Sequence, residues 1–141
     1  MEQYKLIIFD WDGTLIDSIG RIVSSLQQAA LNCQLPAPCD IRARSIIGLS
    51  LPEAINQLFP GRSTEQETAL IEHYKHQYRE LDTTPSPLFS RSIELLHLLR
   101  SQDRKLAVAT GKGREGLNRV WQDTNTGHLF DSSICSDEAK S

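Results

Sequence analysis

Apolar residues occur along these 141 residues in two kinds of run. The first kind is short and continuous. Tyr4–Phe9 (YKLIIF) and Lys105–Thr110 (KLAVAT) read as strands of a parallel sheet covered on both faces, and Ser132–Cys135 (SSIC) as a third strand. The second kind repeats at helical spacing. Ile19, Ile22, Val23, Leu26 and Ala30 form one stripe, opened by Asp17 or Ser18 as cap and closed before Pro36 and Pro38. A short helix over Asp40–Ile47 follows, then Gly48, and then Ser50-Leu51-Pro52-Glu53, a capping box with proline in the first turn of a helix reaching Phe59. Thr64-Glu65-Gln66-Glu67 is a second box, leading to a face of Leu70, Tyr74, Tyr78 and Leu81. Thr83–Ser90 (TTPSPLFS), with two prolines, is an extended return. Beyond it Ile93, Leu96 and Leu99 mark one helix, and Leu117, Val120 and Trp121 another, each ahead of a strand.

The order is therefore βαβαβ with an all-helical unit inserted after the first strand. That order predicts an α/β protein with a Rossmann-like parallel sheet and right-handed crossovers. Hydrophobic residues make up 39% of the chain, enough for one real core. A charged fraction of 23% and a net charge of -3 argue against a nucleic-acid or anionic-membrane partner. Cys33, Cys39 and Cys135 lack CxxC spacing, which predicts reduced thiols, buried or half-buried as small apolar residues, and no structural zinc. No apolar run approaches a membrane span and the start carries no basic-then-apolar leader, so a cytoplasmic location is expected. The oligomeric state is not legible.

Ligands of such sheets bind at the carboxyl ends of the strands. Asp10-Trp11-Asp12-Gly13-Thr14 and Thr110-Gly111-Lys112-Gly113 both fall there. The first offers two acids able to share a hard cation, and a glycine for a sharp turn away from the strand. The second offers a hydroxyl and main-chain N–H groups at a helix start, suited to phosphate oxygens. Gly13 stands fourth from Asp10, where an EF-hand loop would need glycine at the sixth position. Leu106 and Gly113 occupy positions where a P-loop would need glycine and Ser or Thr.

Asp10–Asp17 (DWDGTLID), the helical insert and Leu106–Gly113 (LAVATGKG) together resemble the first two signature motifs of the haloacid dehalogenase superfamily of phosphohydrolases, specifically its phosphoglycolate-phosphatase-like branch with a helical cap. The resemblance implies a HAD-like core over residues 1–16 and 88–141 and a helical cap over 17–87. It also implies Mg²⁺-dependent hydrolysis of a small phosphorylated metabolite through an aspartyl phosphate. Asp10 would be the nucleophile and Asp12 the acid and base. Thr110 and the Gly111 N–H would hold the phosphoryl group, and Mg²⁺ would bind Asp10 and the main-chain carbonyl of Asp12.

The branch further implies a lysine after the third strand and an acidic pair after a fourth. Phe130–Ser141 resembles the approach to that lysine, but Lys140 has no following proline. The core is therefore expected to be incomplete at the C-terminus, and an inactive fragment or a non-catalytic family member is one alternative. Phosphosugar mutase chemistry, sharing every motif present, is another. Carbon–halogen hydrolysis is disfavoured because halide departure needs no acid at Asp12.

Lys112 reads either as a phosphate contact or as a solvated lysine at a helix start. His73 and His76 read as surface residues, since two histidines without a third ligand make a poor metal site. Arg42, Arg44 and Arg62 read as a solvated face, with contact to a substrate carboxylate the sharper alternative.

Overall fold

The structure is a computed structural model that describes residues 4–138, so Lys140 lies outside the described residues. The chain divides into two compact units, residues 18–86 and residues 1–17 with 87–141.

In the second of these, β1 (Leu6–Phe9), β2 (Lys105–Ala109) and β3 (Ser132–Ile134) form a parallel sheet in the order β1-β2-β3. Ile7 pairs with Leu106 and Phe9 with Val108, while Ala109 pairs with Ile134. Ile7, Phe9, Leu106, Val108 and, just past β3, Cys135 pack in one core with Leu96 of α5 (Ser92–Ser101) and Leu117 of α6 (Arg114–Thr124). Trp11, Leu15 and Ile16, which follow β1, complete this core.

The opposite face departs from the pattern expected of a strand covered on both sides. Leu6 is 51% exposed and Ile8 60%, with Ile134 of β3 exposed beside them. The cause is geometric: side chains alternate across a strand, and the apolar core gathers on the other face.

Pairing across the insertion point is tight. Asp17 N–H donates to the Pro87 carbonyl at 2.7 Å and Phe89 N–H to that of Leu15 at 3.1 Å. The Ser92 hydroxyl donates to the same Leu15 carbonyl at 2.8 Å. Ile16 and Leu88 form an antiparallel bridge, so the proline-rich return is extended where it meets the strand it left.

The helical unit contains α1 (Ile19–Asn32), α2 (Asp40–Arg44), α3 (Leu51–Leu58) and α4 (Thr64–His76). Ile22, Val23, Leu26, Ala30, Ile55, Leu58 and Leu70 make up much of its core. Ser18 stands at the start of α1 without a side-chain capping bond. Ser50 caps α3, accepting the Glu53 N–H at 3.4 Å. The box that opens α4 is shifted by one residue from expectation. Ser63 Oγ accepts the Gln66 N–H at 3.2 Å, and Gln66 Oε1 accepts the Ser63 N–H at 2.9 Å. Thr64 is then the first helical residue.

Past His76 the helix loosens into a π-helical turn, Gln77–Leu81. The extra residue per turn rotates the stripe, burying Gln77 and leaving Leu81 exposed instead of on the core face. The unit is closed by Arg21, which donates to the carbonyls of Tyr78 and Thr84 and stacks over the Tyr78 ring.

Cys135 is buried and Cys33 half-buried, whereas Cys39 is exposed, because it sits outside α2 at its N-cap position. His73 and His76 are exposed in the last turn of α4. Arg44 and Arg62 are exposed too, but Arg42 reaches the Leu58 carbonyl at 3.3 Å. Among the described residues no helix is long and apolar enough to cross a membrane.

Candidate active site

Asp10 follows β1 directly and Thr110 follows β2 directly, and these strands are parallel neighbours. Both residues therefore leave the sheet at the same edge. The Asp10 side chain turns back on its own backbone: Oδ1 accepts the Trp11 N–H at 2.7 Å, while the residue as a whole stays exposed. Trp11, completely buried, anchors the loop, and its carbonyl accepts the N–H groups of Thr14 and Leu15 at 3.1 and 3.0 Å. Gly13 takes a positive φ of 78°, the left-handed conformation that glycine adopts freely, and its N–H donates to the Ile16 carbonyl at 2.9 Å. A buried aromatic, a left-handed glycine and two turn hydrogen bonds thus fix where the two acids leave the strand.

Asp12 is not solvated. Its Oδ2 lies 3.6 Å from Lys112 Nζ, with 13% of the Asp12 side chain and 15% of the Lys112 side chain exposed. Lys112 is therefore neither a free surface lysine nor remote from the acidic pair.

On the β2 side, Thr110 N–H donates to the Ile134 carbonyl at 3.1 Å, and Thr110 Oγ1 accepts the Lys112 N–H at 3.1 Å. Gly111, half-buried, lies between them in the loop before α6. The helix start differs from the open anion cradle expected of it. The first amide of α6, on Arg114, donates to both Asp137 carboxylate oxygens at 3.1 and 3.2 Å, so the positive end of the helix already has a negative partner.

Contacts between the start of α6 and the segment after β3 build this region. The Arg114 guanidinium donates to Glu138 Oε2 at 2.9 Å and Oε1 at 2.7 Å and to Ser133 Oγ at 2.8 Å, while Glu138 Oε1 also accepts the Cys135 N–H at 3.0 Å. The hydrogen bond from Arg114, ahead of that from Cys135 N–H, holds the Glu138 carboxyl below its ordinary range. Burial pushes the Cys135 thiol up, making it an inert core group. Asp137 and Glu138 thus latch the segment after β3 to the start of α6. The sequence carried a sign of this only in the acidic pair itself.

The donor set suits a small hard cation. Mg²⁺ prefers oxygen ligands and commonly binds through one or two carboxylates, completing its shell with waters and substrate phosphate. The exposed Asp10 carboxylate and the main-chain carbonyl of Asp12 are of that type, while the Asp12 carboxylate already faces an ammonium. Among the described residues no three His, Cys, Asp or Glu side chains gather into one cluster.

The haloacid dehalogenase-like hydrolase family profile matches residues 7–141, and the chain belongs to that family. It is 37% identical over 135 residues to a protein of Dickeya dadantii named probable phosphatase IndB, covering 94% of this chain and 59% of that one. A phosphoglycolate phosphatase of Mannheimia succiniciproducens is 31% identical over 140 residues, covering 94% and 62%. The tyrosine-protein kinase PtkA of Mycobacterium tuberculosis is 34% identical over 119 residues, covering 84% of this chain and 40% of the kinase. Among solved structures, one from Haemophilus somnus, described as a predicted phosphoglycolate phosphatase, superposes with a TM-score of 0.84 at 23% identity. It covers all of this chain and 66% of that one. The chain thus spans roughly two fifths to three fifths of the length of these curated relatives.

Proposed function

We propose that the protein carrying this chain is a Mg²⁺-dependent phosphomonoester hydrolase that works through an aspartyl phosphate. The observation that carries the reading is the convergence of Asp10, Asp12 and Thr110 on one edge of the sheet, with Lys112 between the two loops. An Asp10 carboxylate oxygen attacks phosphorus while the bond to the ester oxygen breaks, and Asp12 gives that departing oxygen a proton. Water then attacks the phosphorus of the aspartyl phosphate, Asp12 takes the water's proton, and the bond from Asp10 to phosphorus breaks to release inorganic phosphate. Thr110 Oγ1 and the Gly111 N–H bind the phosphoryl oxygens during both steps. Asp10 and the Asp12 carbonyl would hold the metal, whose charge would offset the repulsion between carboxylate and phosphate.

The substrate in this reading is a small phosphorylated metabolite, with a phosphoglycolate-like compound as its finer form, supported by the relatives that bear that name. Residues 17–87 serve as the helical cap that selects it, and the core comprises 1–16 and 88–141. The test is hydrolysis of p-nitrophenyl phosphate with and without MgCl₂. Asp10→Asn should abolish turnover, and Asp12→Asn should lower kcat by about 10²- to 10⁴-fold. Turnover indifferent to Mg²⁺, or surviving Asp10→Asn, would refute the mechanism.

A further inference from the structure

Lys112 is held at three points. Its N–H donates to Thr110 Oγ1 at 3.1 Å, its carbonyl accepts the Ser136 N–H at 3.1 Å, and its ammonium lies 3.6 Å from Asp12 Oδ2. A lysine head is strongly hydrated and its stem flexible, so drawing it in until only 15% of the side chain is exposed costs both hydration and rotamer freedom. A lysine whose role is solubility has no reason to meet those costs. The loop after β1 and the loop after β2 are joined through this one residue.

A second, independent feature shows how the stem gets there. Gly116, the third residue of α6, lies under it: a Cβ on Gly116 would stand 3.0 Å from Lys112 Cγ and 3.3 Å from Cδ. Gly116 is absent from the glycines with positive φ, so its conformational freedom is not what the position uses. Glycine is a poor residue inside a helix, and what it provides here is a lane for an alkyl chain. Lys112 stands two residues before α6, whose first turn holds Gly116, so the gap left by the glycine lies beside the stem that fills it.

We propose that Lys112 is a positioning residue of the phosphoryl site. It holds the Asp12 carboxylate in place and brings the positive charge that an incoming phosphate dianion meets, and Gly116 gives its stem room to do both. This rests on the phosphohydrolase reading above and adds to it a residue between the two motif loops.

The test uses the whole protein that carries this chain, unmodified or substituted, with MgCl₂ and tungstate as the phosphate mimic, titrated calorimetrically. Lys112→Met, which keeps the stem and loses the charge, should weaken tungstate binding about tenfold, the worth of one charge-assisted hydrogen bond. Lys112→Arg should restore most of it. Gly116→Ala should melt no lower than the unmodified chain, because alanine is the better helix former, yet bind tungstate several-fold more weakly as its Cβ displaces the stem. Stability and affinity moving in opposite directions is a result that a purely structural lysine would not give.

Tungstate binding by the unmodified chain that Lys112→Met and Gly116→Ala both leave intact would overturn this inference alone. Absence of tungstate binding by the unmodified chain would overturn the phosphohydrolase reading and this inference with it. The contact itself is checked separately by a thermal double-mutant cycle. Lys112→Met and Asp12→Asn should be non-additive in Tm, and additive effects would likewise overturn the inference.

Discussion

Burial raises the pKa of the Asp82 carboxyl, and hydrogen bonds from Ser24, Thr84 and Ser25 lower it by more, so that it lies below the ordinary carboxylate range. Asp82 stands at the end of the π-helical turn, where Oδ1 accepts the Thr84 N–H at 2.9 Å and Oδ2 the Ser25 hydroxyl at 3.2 Å. A carboxyl with a depressed folded-state pKa stabilises the fold fully above its unfolded pKa, roughly 3.9, and that contribution disappears as pH falls through the lower folded value. Asp82→Asn should therefore destabilise the helical unit at pH 7 by about 1 kcal/mol, the difference between a charged and a neutral acceptor. The gap to the unmodified chain should close as the pH is lowered past 4. Urea midpoints across pH 2–7 would check this; a gap independent of pH would mean that shape, not charge, sets the role of Asp82. Asp12, by contrast, faces an ammonium, and nothing in its own segment announced that partner. The DxDGTL segment was legible because its chemistry is local to one strand end. The Lys112 contact was not, because it needs a glycine inside the following helix and a carboxylate a hundred residues earlier.

Element boundaries show the same division between local and non-local causes. The βαβαβ order followed from apolar runs whose period belongs to each segment, and the structure has that order. The cap of α4 was less determinate, since both Ser63-x-x-Gln66 and Thr64-x-x-Glu67 satisfy the same rule. The structure chooses Ser63 and Gln66, with both reciprocal hydrogen bonds made. Ser63→Ala should then cost about 1 kcal/mol of unfolding free energy, while Thr64→Ala should be close to neutral because Thr64 is a helical residue whose carbonyl, retained in the variant, accepts the Thr68 hydroxyl. Equal costs for the two, measured by urea unfolding, would place the helix start one residue later. The exposure of Leu6 and Ile8 was beyond any such rule. A continuous apolar run implies that a strand can be covered on both faces, but whether other parts of the chain cover it is a property of the packing.

Over the whole molecule, two sets of buried residues form two separate cores, one around Leu26, Ile55 and Leu70 and the other around Trp11, Leu106 and Leu117. The first belongs wholly to residues 18–86, which also close on themselves through Arg21 to the Tyr78 and Thr84 carbonyls and through Ser25 to Asp82. A polypeptide of residues 18–86 should therefore fold alone, giving a helical circular-dichroism spectrum and a cooperative melt. A core of this size supplies only about 3–5 kcal/mol. Leu70→Ala, at a fully buried position, should cost about 2–5 kcal/mol. The two ranges overlap, so a large fraction of the variant fragment should be unfolded at 25 °C. A fragment that is unstructured before any substitution would show instead that the helical unit depends on the α/β unit for its stability, despite the completeness of its own core.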